Sequence, residues 1–305
     1  MFGLDRLRAI HAVALHGSIA AAAAALHVTP SGLSQQLAKL EREAGQPLLV
    51  RDGRGVRLTP AGRLLVAHAA EILDRLTLAR SELDRLHDEV TGTVRVGALP
   101  TVVDGLFPRL VQLLVERHPR LRITLLAGES EDTIPRVVHG DIDIAVFDSW
   151  DQLPTRLPSS ITNRTLFEDV ADLALPAGHR LAHRSSIELS ELNDVEWVTW
   201  VEGSTCAEWM VQTLRLSGLD PTVRAAVSSF ATQMSLVSLG IGAALVPRLG
   251  RSGVPAGVVL IPVRPALKRT ISALWRPPAD RASVHAVIDA LDTVGAGAAA
   301  ELERS

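Results

Sequence analysis

The chain has 305 residues, 34 acidic and 31 basic side chains and a net charge of −3 with neutral histidines, so it is long enough for more than one hydrophobic core and carries no overall basic excess. A single cysteine excludes an internal disulfide, no apolar run reaches the length of a membrane span, and the first residues lack a charged-then-apolar signal pattern; a reducing, cytoplasmic setting without membrane contact is expected. The ten histidines show no H-E-x-x-H or paired Cys/His spacing, and G-x-S-x-G and P-loop motifs are absent, so no catalysis, metal or other cofactor is expected.

Between Ser18 and Leu40 two short helical patterns flank the turn His27-Val28-Thr29. Ser18 is a good N-cap for the first, whose alanine run has high helix propensity. Thr29 caps the second, with Pro30 at the first helical position, where its missing N–H costs nothing. Leu33, Leu37 and Leu40 fall on one face of that helix, and Ser31, Ser34, Gln35 and Lys39 on others. Two readings fit this pair: a helix-turn-helix whose small, uncharged tip enters the major groove, or an ordinary helical hairpin in a core.

Leu48–Arg51 and Val56–Leu58 then read as two short strands joined by Asp52-Gly53-Arg54-Gly55. Arg51, Arg54 and Arg57 crowd this ribbon, where they could grip phosphates. From Met1 to Arg63 there are eight Lys/Arg against four Asp/Glu, a local basic excess on an acidic chain. Thr59-Pro60, again a cap followed by proline, opens a long helix to about Val90, roughly 45 Å at 1.5 Å per residue. Its apolar positions Leu65, Ala69, Ile72, Leu76, Ala79, Leu83, Leu86 and Val90 alternate steps of four and three, a coiled-coil seam that asks for a second copy of the chain.

These features together resemble the N-terminal domain of LysR-type transcriptional regulators. The residues that carry the resemblance are Ala23, Ala24, Leu26, Val28, Thr29, Ser31, Gly32, Leu33, Ser34, Gln36, Leu37, Leu40 and Glu41, followed by Pro47, Leu48, Leu49, Arg51, Leu58, Thr59, Ala61 and Gly62. The resemblance implies a winged helix-turn-helix over residues 1–60 and a linker and dimerisation helix over 61–90. DNA contacts are then expected from Ser31, Gly32, Ser34, Gln35, Lys39, Arg51, Arg54 and Arg57, and dimer contacts from Leu65, Ile72, Leu76, Leu83 and Leu86. Pro30, Gly32 and Gln35 depart from the residues common in the family, so its base contacts do not transfer.

From Thr93 onward the charge reverses, with 20 Lys/Arg against 24 Asp/Glu, and short β-rich runs alternate with helical patterns. This is the signature of an α/β domain with a mainly parallel sheet. Strands are expected at Val94–Ala98, Arg122–Leu126, Ile142–Phe147, Val170–Leu175, Trp197–Trp200, Val223–Val227, Ala243–Val246 and Val258–Val263. Helices fit at Val103–Arg117, Thr133–His139, Cys206–Leu216, Phe230–Leu239 and Arg281–Val294, with Gly240 ending the fourth. GALPTVVDGLFPRLVQLLVERHPRLRITL, HGDIDIAVFD and LGIGAALVPR are similar to the LysR effector-binding domain, a pair of Rossmann-like lobes resembling periplasmic binding proteins. On that layout Arg164–Val170 and Arg264–Thr270 are crossovers, lobe one is 93–165 with 270–305, and lobe two is 166–269.

In such folds ligands sit beyond the carboxyl ends of strands. Leu99-Pro100-Thr101 and Glu202-Gly203-Ser204-Thr205 both lead into helix N-termini, which favour an anion such as a carboxylate. Thr101, Ser204 and Thr205 either complete such a site or simply cap their helices, and the family layout favours the first for Thr101 and Thr205. Pro100, Gly128, Glu129, Ser130 and Phe230 would line the same crevice, while Glu129 and Glu202 suit a cationic group, leaving the effector's sign open. Cys206 reads as a packed helix residue or, with its thiolate favoured by the helix end, as a thiol sensor. The expected function is a ligand-responsive transcriptional regulator. Its partners would be double-stranded promoter DNA, a small-molecule effector, further copies of itself as dimer or tetramer, and RNA polymerase. The competing expectation is a solute-binding or enzymatic α/β protein whose N-terminal helices only oligomerise it.

Overall fold

The structure is a computed structural model that describes residues 2–52, 55–85, 90–158, 161–251, 253–277 and 281–302; Arg54 and Leu86 therefore lie outside the described residues. The chain forms two compact units, Met1–His87 and Asp88–Ser305.

The first unit contains α1 (Leu4–His16), α2 (Ile19–Ala25), α3 (Pro30–Ala44), β1 (Leu49–Asp52), β2 (Gly55–Leu58) and α4 (Pro60–Arg85). Helix α1 went unnoticed in the sequence. Its signal is Leu7, Ile10 and Val13 at steps of three, all buried, with Gly17 ending it in the left-handed region at φ 65°. The expected caps are in place: Ser18 Oγ accepts from the Ala21 N–H and Thr29 Oγ1 from the Gly32 N–H, both at 3.2 Å. Ala22 and Ala23 are fully buried, so the alanine run allows α2 to approach its neighbours closely, and Leu33, Leu37 and Leu40 complete this core. Thr59 Oγ1 accepts from the Gly62 N–H at 3.0 Å and donates to the Pro47 carbonyl at 2.9 Å. A Cβ on Gly62 would overlap the Leu48 carbonyl oxygen, which explains the glycine at this point of the motif.

The apolar stripe of α4 does not act as one seam. Leu65, expected in the dimer seam, is half-buried against the core of its own unit, and Ala69 is fully buried there. Ile72, Leu76 and Leu83 stay exposed at 43%, 46% and 61%. Val90, expected at the end of the helix, is not helical and packs on the core of the second unit.

The second unit runs β3 (Gly92–Ala98), α5 (Pro100–Arg117), β4 (Leu121–Ala127), α6 (Ser130–His139), β5 (Ile144–Trp150), β6 (Thr162–Pro176), β7 (Glu196–Thr199), α7 (Thr205–Leu216), β8 (Thr222–Ala226), α8 (Phe230–Ser238), β9 (Ala244–Pro247), β10 (Val258–Trp275) and α9 (Ala282–Leu302). The main sheet has the order β4-β3-β5-β10-β6-β9, and β7 pairs with β8 separately. β3 runs parallel to β4 and β5, and β7 to β8; β10 runs antiparallel to β5 and β6, and β6 to β9.

The strands expected at Val170–Leu175 and Val258–Val263 extend well beyond those bounds. Arg164–Val170 and Arg264–Thr270, the expected crossovers, lie within the long strands β6 and β10, which pair from Trp275↔Thr162 to Val258↔Pro176. The polar run TNRTLFED lies ahead of the expected strand, and pairing with the β10 backbone makes it a strand too. The ladder shifts register between Pro262 and Leu267, and again at Ile271/Ser272. Lobe one packs around Val94, Val96, Leu106, Ile144, Ile271 and Leu291, and lobe two around Leu173, Trp197, Trp209, Leu214 and Leu245. Trp150, at the end of β5, belongs to the second cluster, so lobe one inserts a ring into the core of lobe two.

Candidate DNA-binding face and inter-lobe cleft

On α3, Ser31, Ser34, Gln35 and Lys39 are exposed and Gly32 is half-buried. The two serines are tied to the helix's own first turn: Ser34 Oγ donates to the Pro30 carbonyl at 2.8 Å, and Ser31 Oγ lies 3.2 Å from Thr29 Oγ1. Gln35 and Lys39 are therefore the longer polar groups on this face. In the wing, Leu49↔Leu58 and Arg51↔Val56 place Arg51 on the side that packs inward, while Val50↔Arg57 places Arg57 on the other. Arg51 and Arg57 thus leave the ribbon on opposite sides. Sequence reasoning assigned no role to Glu41, whose Oε1 accepts from the Leu48 and Leu49 N–H groups at 2.8 and 3.1 Å. That carboxylate fixes the root of the wing to α3.

The centre of the cleft was largely missed. Arg269, 3% exposed in the middle of β10, donates to Asp169 Oδ2 through Nε at 2.9 Å and Nη2 at 2.7 Å, and to Asp148 Oδ2 through Nη1 at 3.0 Å. It also donates to Thr101 Oγ1 at 3.2 Å and lies 5.4 Å from the centroid of the Trp150 ring. Burial works against its charge, and Asp169 and then Asp148 more than offset this, holding its pKa up. Thr101 is therefore engaged in a buried polar cluster beside Pro100, at the first turn of α5. The available signal was charge inside apolar strands: Asp148 after IAVF, Asp169 in FEDVADL and Arg269 in LKRTI.

Around this cluster Ser130 Oγ bonds to Asp148 Oδ1 at 3.3 Å, and Gly128 donates its N–H to the Ala98 carbonyl at 3.0 Å. Glu129, the N-cap residue of α6, makes no side-chain cap bond, and burial, then the nearby Asp148 and Glu131, push its carboxyl up to about 7. Ser204 is a capping residue, accepting from the Ala207 N–H at 3.2 Å and donating to the Val201 carbonyl at 2.7 Å. At Thr205, where the sequence suggests an effector carboxylate, the chain's own Glu131 accepts from both the N–H and the hydroxyl. Phe230 is buried, 8% exposed and 4.7 Å from Trp200 by ring centroids. Burial, then Asp148, drives the Cys206 thiol pKa upward, which opposes the thiolate that a sensor would need.

A cavity of about 350 Å³ opens between the lobes, lined by Ser130, Glu131 and Ile134 of α6, Leu153–Arg156, and Thr205 and Glu208 of α7. Glu202, by contrast, lines a groove along α7 with Val211 and Leu216.

Two family-wide sequence models match: "Bacterial regulatory helix-turn-helix protein, lysR family" over residues 4–63 and "LysR substrate binding domain" over residues 87–296. The chain belongs to the LysR family of transcriptional regulators. This LysR-type regulator is 30% identical to the transcriptional dual regulator GltC of Bacillus subtilis, over 80% of this chain and 81% of that one. It is 27% identical to a hydrogen peroxide-inducible genes activator of Dickeya chrysanthemi, over 87% of each. Among solved structures, full-length OxyR from Pseudomonas aeruginosa has the same fold, with TM-score 0.73, 24% identity, and 96% of this chain and 98% of that one covered. Full-length BenM matches with TM-score 0.60 at 24% identity, over 97% of each chain. Among the described residues no single helix of the LysR-type regulator is long and apolar enough to cross a membrane.

Proposed function

We propose that this LysR-type regulator binds promoter DNA as a dimer or a pair of dimers, and that a small polar molecule entering the inter-lobe cavity changes how the dimers sit on that DNA. The observation that carries the reading is the cavity: α6 of one lobe and α7 of the other supply its polar lining, and about 350 Å³ suits a metabolite. A ligand held by both lobes binds one lobe arrangement better than others and so shifts their equilibrium. Ser31, Gly32, Ser34, Gln35 and Lys39 are the proposed groove contacts, with Arg51, Arg54 and Arg57 as phosphate anchors. Ile72, Leu76 and Leu83 are the proposed dimer stripe, and RNA polymerase in a cytoplasmic setting reads the altered DNA.

A gel-shift titration over the DNA upstream of the protein's own gene tests this. At physiological salt that DNA should bind on the order of 10³-fold more tightly than scrambled sequence. Gln35→Ala should erode this ratio, whereas Arg54→Ala should weaken all DNA alike and reduce the salt slope by about one. Equal affinity of the unaltered protein for both sequences would overturn the proposal.

A further inference from the structure

Two helices from opposite lobes end on one carboxylate. Glu131 lies in the first turn of α6, where a negative charge complements that helix's own N-terminal dipole. Its oxygens reach the other lobe: Oε1 accepts from the Thr205 N–H at 3.2 Å and Oε2 from the Thr205 hydroxyl at 3.0 Å. Within the same turn of α7 the Ala207 N–H goes to Ser204 Oγ at 3.2 Å and the Glu208 N–H to the Ser204 carbonyl at 3.0 Å. Most donors with which a helix N-terminus captures an anion are thus engaged, one of them by a side chain from across the cleft. The lobes meet again where Trp150 stacks on Trp209, ring centroids 3.5 Å apart. Beside that stack the Gln152 side chain accepts from Trp209 Nε1 at 3.1 Å, and its backbone carbonyl from Gln212 Nε2 at 2.8 Å.

We propose that Glu131 is a built-in latch, a resident anion that fills the N-terminus of α7 and holds the two lobes together until a ligand in the cleft takes it away from Thr205. The inference rests on reading the cleft as the effector site. One carboxylate here serves two positive helix ends, so its removal takes the cross-lobe partner from Thr205 and loosens the tie between α6 and α7. Glu131 and Thr205 both line the cavity, so a molecule entering there meets the latch directly. A carboxylate ligand would compete with Glu131 for the same donors, and a cationic one would compete with those donors for Glu131.

Amide hydrogen exchange on the full-length protein, without DNA or effector, tests the latch. Glu131→Ala should speed exchange at residues 205–207 about tenfold while β3 and β9 keep their protection. Glu131→Gln, which keeps the shape and loses the charge, should do the same and guards against a misfolded alanine variant. Acetate is the probe for the vacated position: at about 100 mM it should restore protection in Glu131→Ala and leave the unaltered protein unchanged. Unchanged exchange in both variants overturns the latch, and so does acetate protection that is equal in the unaltered protein. Neither result depends on DNA recognition, so a failed gel-shift and a failed latch are separate outcomes.

Discussion

Arg269→Met is the sharpest test of the cleft's architecture. The side chain is 3% exposed and neutralises Asp169, which is itself 1% exposed, together with the partly buried Asp148. Removing it deletes bonds of 2.7, 2.9 and 3.0 Å to carboxylates and one of 3.2 Å to Thr101. It also leaves Asp169 with the Leu249 N–H at 3.3 Å, the Val170 N–H at 2.9 Å and the charge of Arg251 nearby. Breaking a buried pair from one side costs about 3–5 kcal/mol. An unfolding entropy of ~0.5 kcal/mol per degree for a unit of this size converts that to a fall of roughly 6–10 °C in Tm. All five tryptophans lie between Trp150 and Trp275, so intrinsic fluorescence during heating or urea unfolding reports the effector-binding unit alone. Adding Asp169→Asn should recover much of the loss, because the uncompensated charge is then gone. A fall below about 2 °C, or a double variant that simply adds the two losses, would refute the reasoning.

Three other outcomes follow from the same geometry. Glu129 binds its proton more tightly folded (about 7) than unfolded (4.5), so the folded state binds more protons between those values. Its contribution is greatest below the unfolded value and declines as pH rises toward 7, by at most about 3 kcal/mol; urea midpoints should fall over that window, and a Glu129→Gln variant with the same fall refutes the assignment. Asp at Leu76 and Leu83, both exposed, should lower the mass in solution without lowering stability. Asp at Leu65, packed on the core of its own unit, should instead destabilise that unit by about 2 kcal/mol or more by circular dichroism; a mass change without destabilisation would restore Leu65 to the seam. Finally, the Cys206 thiol should react slowly with a disulfide reagent at pH 8, and Cys206→Ser should leave DNA binding intact; fast modification would reinstate a thiol sensor.

The helix-turn-helix, its wing and the start of α4 were legible because their signals are local. Ser18, Thr29 and Thr59 each cap a helix whose first turn follows at once, and Gly62 is required by a contact with Leu48 only fourteen positions away. The alternation of strands and helices from Thr93 onward is likewise a property of neighbouring residues, and it located most elements of the two lobes to within a few positions. Periodicity could say that α4 carries an apolar stripe. It could not say which part faces its own chain, because Leu65 and Ile72 look alike until α1 and the wing are in place.

The cleft depended on contacts far apart in the chain. Arg269 meets Asp169 across 100 positions and Asp148 across 121, only because β10 pairs along its length with β6 and, beyond the register shift, with β5. Glu131 and Thr205, 74 positions apart, meet because the two long strands bring α6 and α7 to the same crevice. The sequence by itself determined the family, most element types and the helix-turn-helix, through caps and spacings that act over one or two turns. Tertiary structure alone decided which charges are buried together and which carboxylate fills the α7 N-terminus, because pairing and desolvation are set by where distant strands place their side chains.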